Sequence, residues 1–188
     1  MVFKQIHHET KIVNIGNKKY GVHKVYIDIS NGSNLYTVYG DNNNNLKINI
    51  KNNGKFYKNK VGGLTSNMQN TKLLSIYPEL NWNSYITIGN TTNVNNNLNI
   101  IGFRGQETNF YNGNLTLVNG GWFINNDDIQ GKGQNGKVLI MQLTTIMLTP
   151  TTFNPINIVL NLKGTDINGN IWTKTNVKYT IDKIIEKN

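Results

Sequence analysis

The chain has 188 residues, enough for one compact domain with its own core and short for two. Hydrophobic residues make up 37% and charged residues only 15%, with a net charge of +9, so polarity is carried by uncharged side chains, above all Asn. The absence of cysteine excludes a disulfide framework, a thiolate nucleophile and a Cys-ligated zinc, and no run approaches the ~18 apolar residues of a membrane-spanning helix.

Residues 1–9 lack the apolar stretch and cleavage site of a signal peptide and are expected to be a flexible segment; His7, His8 and Glu9 alternate sides on an extended chain and make a poor metal set. A single domain is expected over 10–182, with a polar tail at 183–188 and a less ordered stretch from Gly62 to Thr71. Two-residue alternation predicts strands with one wet face: Val25, Ile27 and Ile29 against Lys24, Tyr26 and Asp28; Leu46, Ile48 and Ile50 against Lys47 and Asn49; Ile156, Ile158, Leu160 and Leu162 against Asn157, Asn161 and Lys163. After Tyr77-Pro78, a strand is expected with Trp82, Ser84, Ile86 and Ile88 on one face and Asn83, Tyr85 and Thr87 on the other. The nearly continuous run Val138 to Leu143 suggests a central strand covered on both sides. The longest candidate strand places Ile171, Thr173, Thr175, Val177, Tyr179 and Ile181 on one face.

Six Asn-Gly pairs, at Asn31, Asn53, Asn112, Asn119, Asn135 and Asn168, punctuate these runs as hairpin signals, and Asp166 to Asn170 is expected to be a turn. Short strands with frequent turn signals predict an all-β fold, an antiparallel β-sandwich of jelly-roll-like form.

Two blocks carry a resemblance: Trp82-Asn83-Ser84-Tyr85-Ile86-Thr87-Ile88-Gly89, and Gly120 to Gly131 followed by Gly136 to Thr144. With Val38-Tyr39-Gly40 and Gly54-Lys55-Phe56-Tyr57, the stretch from about Tyr20 to Thr180 resembles a functionally uncharacterised family of extracellular or surface β-rich domains. The resemblance implies a surface-displayed β domain without a known active site. Asn83 stands where the family pattern has Asp, which puts any charge-dependent role of that position in doubt. Abundant Asn, Lys and Ile, one Arg (Arg104) and no Ala fit an AT-rich genome, such as that of an amoeba-infecting large DNA virus, a protist or a low-GC bacterium.

Candidate sites are few. Lys47, Lys51, Lys55, Lys58 and Lys60, with Phe56 and Tyr57 among them, form the densest basic segment and would suit phosphate or an anionic glycan; scarce Arg argues against sequence-specific nucleic-acid reading. Trp82 and Trp122 are candidate sugar platforms whose plainer role is core packing. Asp127 and Asp128 are the candidate calcium ligands, two carboxylates against the six to eight oxygens calcium takes, so no cofactor is the first expectation. The Gly-x-Gly-x-x-Gly match from Gly131 to Gly136 runs into a strand, so it is a hairpin and no phosphate loop. With no nucleophile elbow and ten scattered carboxylates, no enzyme is expected; Glu79 and Asp128 would be the first to test for a hydrolase. The reading preferred from sequence is a non-enzymatic structural or surface protein, virion-associated or extracellular, acting through contacts with itself or other structural proteins. The alternative is a module that binds glycan or an anionic polymer.

Overall fold

The computed structural model describes residues 1–133 and 135–185 and forms two antiparallel sheets packed face to face, the expected all-β sandwich. The smaller sheet has the order β1 (Phe3–Ile15), β2 (Lys18–Ile29), β9 (Lys137–Ile146), β5 (Tyr85–Ile86). In the larger one, β10 (Ile156–Thr165) pairs along one edge with β11 (Ile171–Ile181) and along the other with β3 (Asn34–Gly40) and β4 (Leu46–Ile50) in turn. Beyond these lie β8 (Gly120–Phe123) against β3, β7 (Asn114–Leu117) against β4, and β6 (Asn99–Ile101) at the edge. The core lies between the sheets, where Val25, Ile27 and Ile140 pack in one cluster with Val38, Ile48 and Leu160. Each such buried side chain contributes roughly 1.5–3 kcal/mol.

The alternations in 24–29, 46–50 and 156–162 form β2, β4 and β10. The run from Val138 lies in β9, flanked by β2 and β5 and buried from Val138 to Thr145. At 166–170 the Asp166 carboxylate accepts from the backbone N–H groups of Asn168 and Asn170, both at 2.8 Å, and closes the β10–β11 hairpin.

Four expectations require correction. Residues 1–9 are not a loose segment: from Phe3 they belong to β1, which pairs with β2 as far as a two-residue turn at Gly16-Asn17, where Gly16 has φ +56. The strand lacks an apolar alternation because its inward positions include His8 and Thr10, both buried and both hydrogen-bonded. Gly62 to Thr71 is packed, with Leu64, Thr65, Ser66 and Gln69 buried. The stretch expected as a strand from Trp82 begins as a 3-10 turn over Pro78–Trp82, and only Tyr85–Ile86 pairs. In β11, a bulge opposite Asn161 breaks the shared face: Asn176 takes φ 53 and its N–H donates to Asn161 Oδ1 at 2.8 Å. Val177 and Ile181 then face inward, but beyond the bulge Trp172 turns in while Ile171, Thr173 and Thr175 are exposed.

The polar tail is anchored as far as Ile185, whose carbonyl accepts from Thr10 N–H at 2.6 Å, while Lys183 carbonyl lies 3.0 Å from His8 Nε2. Its remaining residues, 186–188, and Gln134 of the glycine-rich segment lie outside the described residues.

Candidate functional site

The outer face of the smaller sheet is concave. Alternate side chains of β1 and β2 project from it in register, with Gln5 opposite Asp28, His7 opposite Tyr26 and Glu9 opposite Lys24, while Lys137 of β9 stands opposite Asp28. They floor an open groove of about 840 Å³ whose far wall holds Asn90 and Gln130. Past Lys24 and Tyr26 the groove continues into a hollow of about 500 Å³ lined by Lys11, Val22 and Trp82.

Contacts among these side chains fix the floor. Gln5 Nε2 donates to Asp28 Oδ2 at 2.7 Å, and His7 Nδ1 lies 3.2 Å from the same oxygen without hydrogen-bond alignment. The His7 ring stacks on Tyr26, centroids 5.3 Å apart and planes 17° from parallel. Tyr26 O–H donates to Glu9 Oε2 at 3.3 Å, the other Glu9 oxygen holds Lys137, and Lys137 Nζ sits 4.3 Å over the Tyr26 ring. Burial, then the charge and hydrogen bond of Glu9, push the Tyr26 phenol well above its ordinary pKa, so it remains a neutral donor. At the far end, Lys11 Nζ lies 4.9 Å over the Trp82 ring.

Local structure explains why Trp82 reaches the groove. The 3-10 turn over Pro78–Trp82 ends against β9, whose Gln142 Nε2 donates to Asn81 O at 2.9 Å and Asn83 O at 2.8 Å. Asn83 is fully buried: its Oδ1 accepts from Asn59 N–H at 2.8 Å, and its Nδ2 donates to Gly63 O at 2.9 Å and Gln69 Oε1 at 3.3 Å. An amide is required there because two acceptors converge on Nδ2.

The groove contains two carboxylates, Glu9 and Asp28, four residues apart along the paired strands.

The sites expected from sequence fare unevenly. Trp122 is not a ligand platform: it is wholly buried, packs 6.4 Å from Phe103, and donates its Nε1–H to Thr87 O at 2.8 Å. Phe56 is also core, its ring 5.2 Å from Phe110. Nor is the basic segment one face, because it crosses between sheets: Lys47 lies on β4, whereas Phe56 bridges to Thr145 and Tyr57 N–H donates to Thr144 O on β9. Lys51 and Lys55 are exposed between them. Lys58 is paired with Glu107 at 2.9 Å, Lys60 lies 4.6 Å over Tyr77, and half-buried Tyr57 packs 5.5 Å from Tyr20.

Asp128 is occupied with the chain itself, accepting from Gln130 N–H at 3.0 Å and Asn97 Nδ2 at 2.7 Å, while Asp127 is exposed. Among the described residues no group of three or more His, Asp or Glu is gathered to hold a metal ion. Among the described residues no helix is long and apolar enough to cross a membrane. Of the expected residues only Trp82 lies in the groove. The sequence does not join the groove's other members into a site, because the first nine residues carry no apolar pattern that marks them as a strand beside Lys24, Tyr26 and Asp28. No protein-family model, curated protein or solved structure matches this chain.

Proposed function

We propose that this protein is a non-catalytic β-sandwich module that binds a glycan chain in the groove of its smaller sheet. The observation that carries this reading is the fixed polar array of Gln5, His7, Glu9, Tyr26, Asp28 and Lys137, with Trp82 walling one end. An outward sheet face needs only solubility, yet these side chains are held by one another in a concave surface rich in donors and acceptors, the character of a saccharide site. Amines and carboxylates alternate along it, which suits a neutral chain better than a polyanion, and dispersal of the basic segment leaves a polyanion without a site of its own.

The test is a screen of soluble and insoluble polysaccharides by affinity electrophoresis and calorimetry, at low and moderate salt. Binding should persist as salt rises, and Trp82→Ala should weaken it about tenfold. Binding unchanged in Trp82→Ala, or lost as salt rises, refutes the assignment.

A second reading, a surface-displayed or virion structural component, is favoured by the tip of the β10–β11 hairpin, where Ile167 and Ile171 are 71% and 66% exposed. Self-association that is abolished by Ile167→Ser with Ile171→Ser would establish it.

A further inference from the structure

We infer a second saccharide site on the opposite face of the molecule, over β3 and β8. There a hollow of about 490 Å³ opens on the outer side of the larger sheet, with Tyr36, Tyr39 and Phe123 around it and Lys163, Asn119 and Ile101 at its margin. Its floor is bare backbone for a structural reason. On the outer side Thr37 pairs with Phe123 and Tyr39 with Gly121, so the position between Tyr39 and Ile101 lacks a side chain, while Gly40 and Gly120 pair on the inner side. A Cβ on Gly121 would stand 2.1 Å from Val38 O and 2.7 Å from Tyr39 Cα, and one on Gly120 would stand 2.6 Å from Ile101 O. The strands approach too closely for any other residue, and the missing side chain of Gly121 leaves the outer face low beside Tyr39 and Phe123. These two lie diagonally across a strand pair, roughly 7–8 Å apart.

The chemistry selects the ligand. A sugar ring has an apolar C–H face that packs on an aromatic plane and an equatorial rim of hydroxyls that need hydrogen bonds. Half-buried Tyr36, Tyr39 and Phe123 offer the planes. The two phenols, the Thr37 hydroxyl and the Lys163 amine offer the bonds, and none of these polar groups has a side-chain hydrogen bond among the described residues. One lysine does not make an anion site, so the ligand class is a neutral oligosaccharide.

A second copy of the chain is a poorer occupant, because ten residues line the hollow whereas a stable protein interface takes about 20–30 a side. With the groove on the smaller sheet, the module would present saccharide sites on both outer faces and could cross-link a glycan. This site stands on residues separate from the groove and survives if the groove assignment fails.

The experiment is a backbone amide NMR titration of the full chain with a panel of neutral oligosaccharides: β-glucan, xylan, mannan, chitin and α-glucan fragments at millimolar concentration. At least one should shift the amides of Tyr39, Gly120, Gly121 and Phe123 in a saturable way. Tyr39→Ala with Phe123→Ala should weaken that site about tenfold, while Trp82→Ala leaves it unchanged. Because the mapping uses the unaltered protein, it does not depend on the variant's folding. Silence of these amides with every sugar overturns the inference, as does a concentration-dependent shift of the same amides without sugar, which would place a second copy on the face. Shifts confined to Tyr26 and Trp82 would overturn it while supporting the groove, so the two sites fail separately.

Discussion

Lowering the pH from about 7.5 to about 5.5 should cost the fold about 1.4 kcal/mol through His23 alone. His23 is wholly buried, with Nδ1 3.0 Å from Thr10 Oγ1, Nε2 3.2 Å from Thr145 Oγ1, and its ring 4.4 Å from Phe153. Burial, and secondarily the neighbouring His8, hold its pKa down to about 3 against an ordinary 6.5. The folded protein therefore keeps His23 neutral while the unfolded chain takes up a proton. Stability is fully present above the unfolded-state value and is lost as pH falls through the window from 6.5 towards 3. At pH 5.5 the loss is RT ln(1 + 10), about 1.4 kcal/mol, and at pH 4.5 it reaches about 2.7 kcal/mol. His8, lowered chiefly by its own burial, adds a loss of the same sign. The assay is urea unfolding of wild type and His23→Gln at both pH values. Glutamine retains a donor and an acceptor for the two threonine hydroxyls but does not titrate, so the wild type should lose about 1.4 kcal/mol more than the variant. An equal loss in both proteins would refute a buried neutral His23.

Replacing Asn83 by Asp should destabilise the protein by about 3 kcal/mol in denaturant unfolding near neutral pH, because a buried carboxylate would face Gly63 O and Gln69 Oε1 without a donor between them. The deficit should shrink in acid relative to wild type, since the protonated acid can again donate one bond. Trp82 is only half-buried, so Trp82→Ala should lower stability by no more than about 2 kcal/mol, leaving a folded variant in which lost binding reports on the groove itself.

Where one face of a strand is apolar and the other wet, the sequence states the strand and its orientation, as in β2, β4 and β10. That signal vanishes where the inward residues are polar and satisfied. In β1, His8 bonds to Tyr179 O–H at 2.7 Å and Thr10 to His23, and neither partner is near it in sequence. The bulge in β11 was equally hidden, because it depends on the Asn161 side chain of the neighbouring strand. The groove inherits both difficulties: half its floor is β1, and Trp82 is delivered by a turn pinned through Asn83 to Gly63 and Gln69. The basic segment failed as a site because proximity in sequence says nothing about where a chain crosses between sheets.

The fold divides the chain's asparagines into a buried population and an exposed one. The buried ones hold loops: Asn34 reaches Asn126 O at 2.7 Å, Asn59 accepts from Val61 N–H at 3.0 Å, and Asn161 joins the Asn44 carbonyl at 2.8 Å to the β11 bulge. Their next residues are Leu35, Lys60 and Leu162, and Ser84 follows buried Asn83. Deamidation needs the following backbone nitrogen to attack the side-chain amide, which a side chain on that residue hinders and glycine permits. All six asparagines that precede glycine, Asn31, Asn53, Asn112, Asn119, Asn135 and Asn168, are exposed. Ageing at mildly alkaline pH should therefore convert these turns while sparing the buried amides. Peptide mass mapping should locate the mass increase at Asn-Gly sites, with each exposed conversion shifting stability by no more than about 0.5 kcal/mol. Conversion at Asn83 or Asn161 in folded protein would contradict this division, since each amide is held on both its oxygen and its nitrogen.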